Sequence, residues 1–147
     1  MKRLLSVVLL ALVSVAVFGQ GGKPAIPAFH DAPPAKDASL PPIMPEEDLW
    51  GPEFQYPVQK HAYLLAAKIG DVLYQQPCFC FCDRAVGHRS LRSCYETTHA
   101  AHCEACMKEL FYTYQQHKAK KSAKQIREGI INGEWKAIEL EKAATME

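Results

Sequence analysis

The sequence predicts an all-α protein: a small bundle of three to four helices carrying a Cys/His-rich loop, preceded by a disordered Pro-rich linker. Three observations predict it. Apolar residues recur at spacings of three and four after Pro57, with no sustained alternation. Nine of the ten prolines lie between Pro24 and Pro57, and the tenth is Pro77. All six cysteines fall between Cys78 and Cys106, together with His88, His99 and His102. At 147 residues one folded domain is the default.

The first segment reads as an export signal. Lys2 and Arg3 precede an apolar run from Leu4 to Phe18 that is broken only by Ser6 and Ser14. Such a run is short for a hydrocarbon core of roughly 30 Å. Val17-Phe18-Gly19 fits a cleavage site, so residues 1–19 are expected to be a cleaved signal peptide. Export to the periplasm or the extracellular space follows, with membrane anchoring if the signal stays uncleaved. No cysteine lies between the apolar run and Cys78, so no lipid-anchored cysteine is expected. The net charge of +1 gives no basic footprint for nucleic acid.

Residues 20–55 carry prolines, glycines, alanines and scattered charges without a period of two or 3.6, and are expected to form a flexible linker, whose Leu49, Trp50 and Phe54 either dock on the domain or stay exposed. Residues 56–147 form the Cys/His-rich helical domain. Val58, Ala62, Leu65, Ile69, Val72 and Leu73 predict a first helix over about 57–75, opened by Pro57 and stopped before Pro77. Cys78 to about Arg92 reads as a loop. A second helix is expected from about Ser93 or Thr98 to Lys118, with Leu110, Phe111 and Tyr114 inward. Ser122-x-x-Gln125 is a capping box and opens a third, with Ile126, Ile130 and Ile131 as buried candidates. Gly133 ends or kinks it, and Trp135 to Ala144 is helix-prone. A domain of this size has a modest core, so a metal or disulfide staple would contribute to its stability.

The cysteine spacing carries the chemistry. Cys78, Cys80 and Cys82 alternate, so an extended chain puts all three sulfurs on one face. Neighbouring Cα atoms would then stand roughly 6.6 Å apart, near the limit for an unstrained disulfide. Convergence on one ion is the easier use. If 99–106 is helical, His99, Cys103 (or His102) and Cys106 share a face. Thiolates with imidazoles suit Cu(I), Zn²⁺ or iron–sulfur clusters and argue against Ca²⁺ and Mg²⁺. The candidate metal ligands are therefore Cys78, Cys80, Cys82, His88, Cys94, His99, Cys103 and Cys106, and the expected ion is copper or zinc. These eight soft groups could close two tetrahedral sites.

Two other readings stay open. Six cysteines in a small exported domain also suit three structural disulfides, stapling an interaction domain. Alternatively Cys78, Cys80, Cys82, Cys103 and Cys106 could exchange disulfides as a redox protein, although the βαβ setting of a thioredoxin-type site is missing. The expected partner is a metal ion, or an exported protein that trades metal or thiols.

Pro77-Cys78-Phe79-Cys80-Phe81-Cys82, followed by Gly87-His88, Cys94, His99 and Cys103-x-x-Cys106, resembles the PCYCGC-motif (CYCXC) family of exported bacterial proteins, whose function is unsettled. The likeness covers roughly residues 55–135 and extends to Ser122-Ala-Lys-Gln-Ile-Arg. Some members carry selenocysteine within the motif, which implies a reactive or metal-ligating chalcogen there. The resemblance carries over the Cys and His positions and no reaction. Phe79 stands where the family has tyrosine. Phe81 stands where it has glycine, so a positive φ at that position is not expected. The stretch between Cys94 and His99 is short, and a lipobox is missing.

The remaining polar residues read as bystanders. His30, His61 and His117 are isolated, and His102 is either a bystander or an alternative to His99. Glu104 and Glu109 are expected to be solvated. Lys118, Lys120, Lys121 and Lys124 read as a solvated connection between helices. No Ser/His/Asp set, Gly-rich phosphate loop or carboxylate pair stands out.

Overall fold

The computed structural model describes residues 25–146. The expected signal peptide and the first residues of the expected linker lie outside the described residues. The fold class is as the sequence predicts: the described residues form helices and turns, with no strand among them. Six α-helices follow in order: α1 (Pro57–Lys68), α2 (Gly70–Leu73), α3 (Cys82–Val86), α4 (Glu104–Lys118), α5 (Ala123–Ile131) and α6 (Leu140–Ala143). Three-ten turns at Leu91–Tyr95, Thr98–His102 and Glu134–Ala137 connect them. No helix of the described residues is long and apolar enough to cross a membrane.

The longest helix, α4, is the centre of the bundle. The helices α1, α2, α5 and α6 pack on it. Its Leu110 and Phe111 are fully buried, against Ala62, Tyr63 and Leu65 of α1. The first helix begins with Pro57, whose missing N–H costs nothing at that position. The Tyr56 amide donates to Gln59 Oε1 at 2.8 Å. The expected single helix over 57–75 is interrupted at Ile69, where φ is −128° and ψ 27°. The capping box of α5 is present as read: Gln125 N donates to Ser122 Oγ, and Ser122 N donates to Gln125 Oε1. Ile126 and Ile130 are buried, whereas Ile131 is exposed, one position round from the inward stripe. Gly129 permits a close approach, because a Cβ there would collide with the Tyr112 hydroxyl. That hydroxyl donates to Glu134 Oε2 at 2.5 Å and ties α4 to the turn after α5.

The Pro-rich segment differs from its expectation. Residues 25–55 lie along the domain as an irregular strap with a three-ten turn at Glu46–Asp48. Leu49 is buried, and Ile43, Met44 and Phe54 pack against the core. Two buried arginines reach out to hold the strap. Arg127 donates to the His30 carbonyl, pairs with Asp31 and lies over the Phe29 ring. Arg92 donates to the Pro41 carbonyl at 2.8 Å. The Met44 amide donates to the Tyr95 carbonyl at 3.0 Å. A segment without its own period cannot fold alone, but here the domain supplies both the apolar surface and the donors its carbonyls need.

Candidate metal centre

Three pieces of chain bring the soft residues together. The first is the loop after Pro77. It turns at Cys78, where the Phe81 amide donates to the Cys78 carbonyl at 3.1 Å. Phe81 then takes a φ of +58°, and α3 follows until Gly87 at φ +75°. A positive φ at Phe81 is contrary to the sequence expectation. The turn places a residue there in the left-handed region whatever its type, and the Phe81 ring is held against Phe79 and the Arg84 guanidinium. The three sulfurs therefore converge through a turn rather than along an extended chain.

The second piece is the pair of three-ten turns carrying Cys94 and His99. The helix α1 holds them. Gln59 Nε2 donates to the Ala101 carbonyl at 2.8 Å, and the Tyr63 hydroxyl donates to the Thr97 carbonyl at 2.7 Å. The third piece is the start of α4. The expected continuous helix from Ser93 or Thr98 is broken at Cys103, where φ is −124° and ψ 104°. His99 and Cys106 thus meet across this break, not along one helical face. Cys103 is the N-cap of α4, its Sγ accepting from the Cys106 amide at 3.5 Å.

All eight sequence-predicted ligands come together in one cluster. Their donor atoms form three groups, within each of which all lie within 4.8 Å of one another: Cys78, Cys80, Cys82 and Cys94; Cys80, His99, Cys103 and Cys106; and Cys82, His88, Cys94 and His99. The closest sulfur pairs are Cys78–Cys80 at 3.3 Å, Cys78–Cys106 at 3.4 Å and Cys82–Cys94 at 3.5 Å. His88 Nδ1 lies 3.1 Å from Cys82 Sγ and 3.4 Å from Cys94 Sγ. All six cysteines are free thiols. Cys78, Cys82, Cys94 and Cys106 are buried, while Cys80, Cys103, His88 and His99 are partly open. A cleft of about 360 Å³, lined by His30, Tyr74, His88 and Glu96 among others, leads to the His88 side.

The thiols share their protons unevenly. Hydrogen bonds from Cys103, Cys106 and Cys78 hold the Cys80 thiol well below the usual range. Cys78 is pushed up, chiefly by its contacts with Cys106 and Cys80. The hydrogen bond with Cys94 raises His88. A metal ion held here would displace the thiol protons, as thiolate ligation requires. The thiol-rich donor set fits a soft ion, and the cluster can hold one.

Glu109 is the residue the sequence reading missed. It was expected to be solvated, but it is fully buried on α4, and its Oε1 accepts from the Phe79 amide at 2.8 Å. Burial pushes its carboxyl up to about 8. It pins the cysteine loop to the central helix. Its place three residues after Cys106, on the side of α4 that Leu110 and Thr113 also bury, was the available signal. Glu104 is exposed, as expected. His102 stands outside the cluster and pairs with Glu53. His30 stacks on Tyr74 at 3.8 Å, and His61 Nε2 hydrogen-bonds with the Met146 carbonyl.

The chain matches no family model, no curated protein and no solved structure.

Proposed function

We propose that this chain is an exported soft-metal-binding protein, which carries or buffers Cu(I) or Zn²⁺ outside the cytoplasm and exchanges it with another exported metal- or thiol-trading protein. One observation carries the reading: eight Cys and His donors from three separate pieces of chain converge within bonding reach of shared centres, with all six thiols free. Donor softness supports copper or zinc over hard cations. The apolar run at Leu4–Phe18 supports export, and the Pro77–Cys82 stretch that resembles the PCYCGC motif falls on the cluster residues. The cleft at His88 gives an ion or a partner's ligand a way in. Protein purified with its thiols protected is expected to bind at least one equivalent of Cu(I) or Zn²⁺, and less than one equivalent overturns the reading.

One feature favours a second reading. Cys78 with Cys106, and Cys82 with Cys94, stand sulfur to sulfur at 3.4 and 3.5 Å. These are the pairs a dithiol–disulfide protein would close. That reading requires a reversible reduction potential and turnover with a thiol substrate in the metal-free protein.

A further inference from the structure

The donors outnumber what a single ion can use. Zinc takes four ligands, and Cu(I) takes fewer. An ion in the group of Cys80, His99, Cys103 and Cys106 leaves the buried thiols Cys78, Cys82 and Cys94 without a metal. An ion in the group of Cys78, Cys80, Cys82 and Cys94 leaves His99, Cys103 and Cys106 without one.

The spacing suits two adjacent centres. A tetrahedron of thiolates at a Zn–S distance of roughly 2.3 Å has an edge of roughly 3.8 Å. The Cys80–Cys106 separation, 3.7 Å, matches that edge, and Cys78 lies closer, 3.3 Å from Cys80 and 3.4 Å from Cys106, so Cys80 stands between the two groups. The two groups have one member in common, Cys80. A thiolate has lone pairs enough to bind two ions, which an imidazole nitrogen does not.

We propose that the cluster is a two-metal centre, one ion held by Cys78, Cys80, Cys82 and Cys94 and the other by Cys80, His99, Cys103 and Cys106, with the Cys80 thiolate bridging them. This rests on the soft-metal reading above. His88, against Cys82 and Cys94 and lining the cleft, is then free to act as the ligand that receives an incoming ion.

The test is native mass spectrometry of the full chain, reduced and titrated separately with Zn²⁺ and with Cu(I), beside the C80S and C103S variants. Two ions per chain are expected at saturation. C80S removes a ligand from both centres, so both ions should bind at least about tenfold more weakly. C103S removes a ligand from one, so one ion should keep its affinity. Circular dichroism of each metal-free variant, matched to that of the native chain, checks that the fold is kept. A count of one, or of three or more, overturns the two-ion centre and leaves the soft-metal reading standing. Loss of only one ion in C80S overturns the bridge. No bound zinc and no bound Cu(I) overturns both readings.

Discussion

Cys78 Sγ and Cys106 Sγ lie 3.4 Å apart although 28 residues separate them in the chain. The first stands in the turn after Pro77 and the second in the first turn of the central helix. A metal held by this cluster therefore cross-links the loop to the bundle core, and its removal acts on the whole fold. Binding to the folded state at about a thousandfold over Kd adds about 4 kcal/mol. For a domain of this length that raises Tm by more than about 10 °C. Differential scanning calorimetry with and without a chelator checks it, and superimposable transitions would argue against a structural role for the ion.

The buried Glu109 gives the metal-free protein a pH dependence of known sign. Its carboxyl is raised from 4.5 to about 8 by burial. The folded state thus holds the proton more tightly than the unfolded chain. The resulting stabilisation is complete below pH 4.5 and is lost as the pH rises toward about 8. One group contributes at most about 1.4 kcal/mol per pH unit. E109Q keeps an acceptor for the Phe79 amide and removes the titration. Urea midpoints across this range should fall more steeply with pH in the native chain than in E109Q. Parallel curves would contradict the assignment.

Phe81 tests the turn that gathers the first three sulfurs. Its φ of +58° favours glycine, while its ring contacts Phe79 and Arg84. F81G relieves the backbone and loses the ring, while F81A loses the ring and keeps the strain. F81A should be the less stable of the two by about 1 kcal/mol in chemical denaturation. Equal stabilities, or an alanine variant above the glycine one, would show that the turn does not hold this conformation in solution.

Arg127 tests the strap. Its guanidinium donates to the carbonyls of His30 and Gln75 and pairs with Asp31. R127A should cost about 1.5–3 kcal/mol, the range for hydrogen bonds to a charged group. It should also speed proteolysis within residues 25–44 well before the helices are cut. Cleavage at the native rate would show that the strap is held by its apolar contacts alone.

The fold class was legible because Val58, Ala62, Leu65, Ile126 and Ile130 follow the helical period, and the Ser122–Gln125 cap is a local signal. All eight cluster residues were legible too, since residue type and crowding marked them without any knowledge of the path between them. The path itself was not. The break of α4 at Cys103 and the left-handed Phe81 come from how the pieces pack, and a spacing of three or four looks the same in a helix and in a cap. The strap escaped because its contacts are made by Arg92 and Arg127, far away in sequence, and a proline-rich segment has no period to show them. Glu109 escaped because a carboxylate on a helix is usually solvated, and only the tertiary fold shows the Phe79 amide facing it.

The central claim is that the cysteines and histidines hold metal rather than staple the chain. The most direct measurement counts bound metal and alkylatable thiols on the same sample of natively purified protein, before and after chelation. Bound copper or zinc is expected, with the thiols shielded from alkylation until the metal is removed and all six reactive afterwards. Three disulfides, no metal and no thiol released by chelation would contradict it.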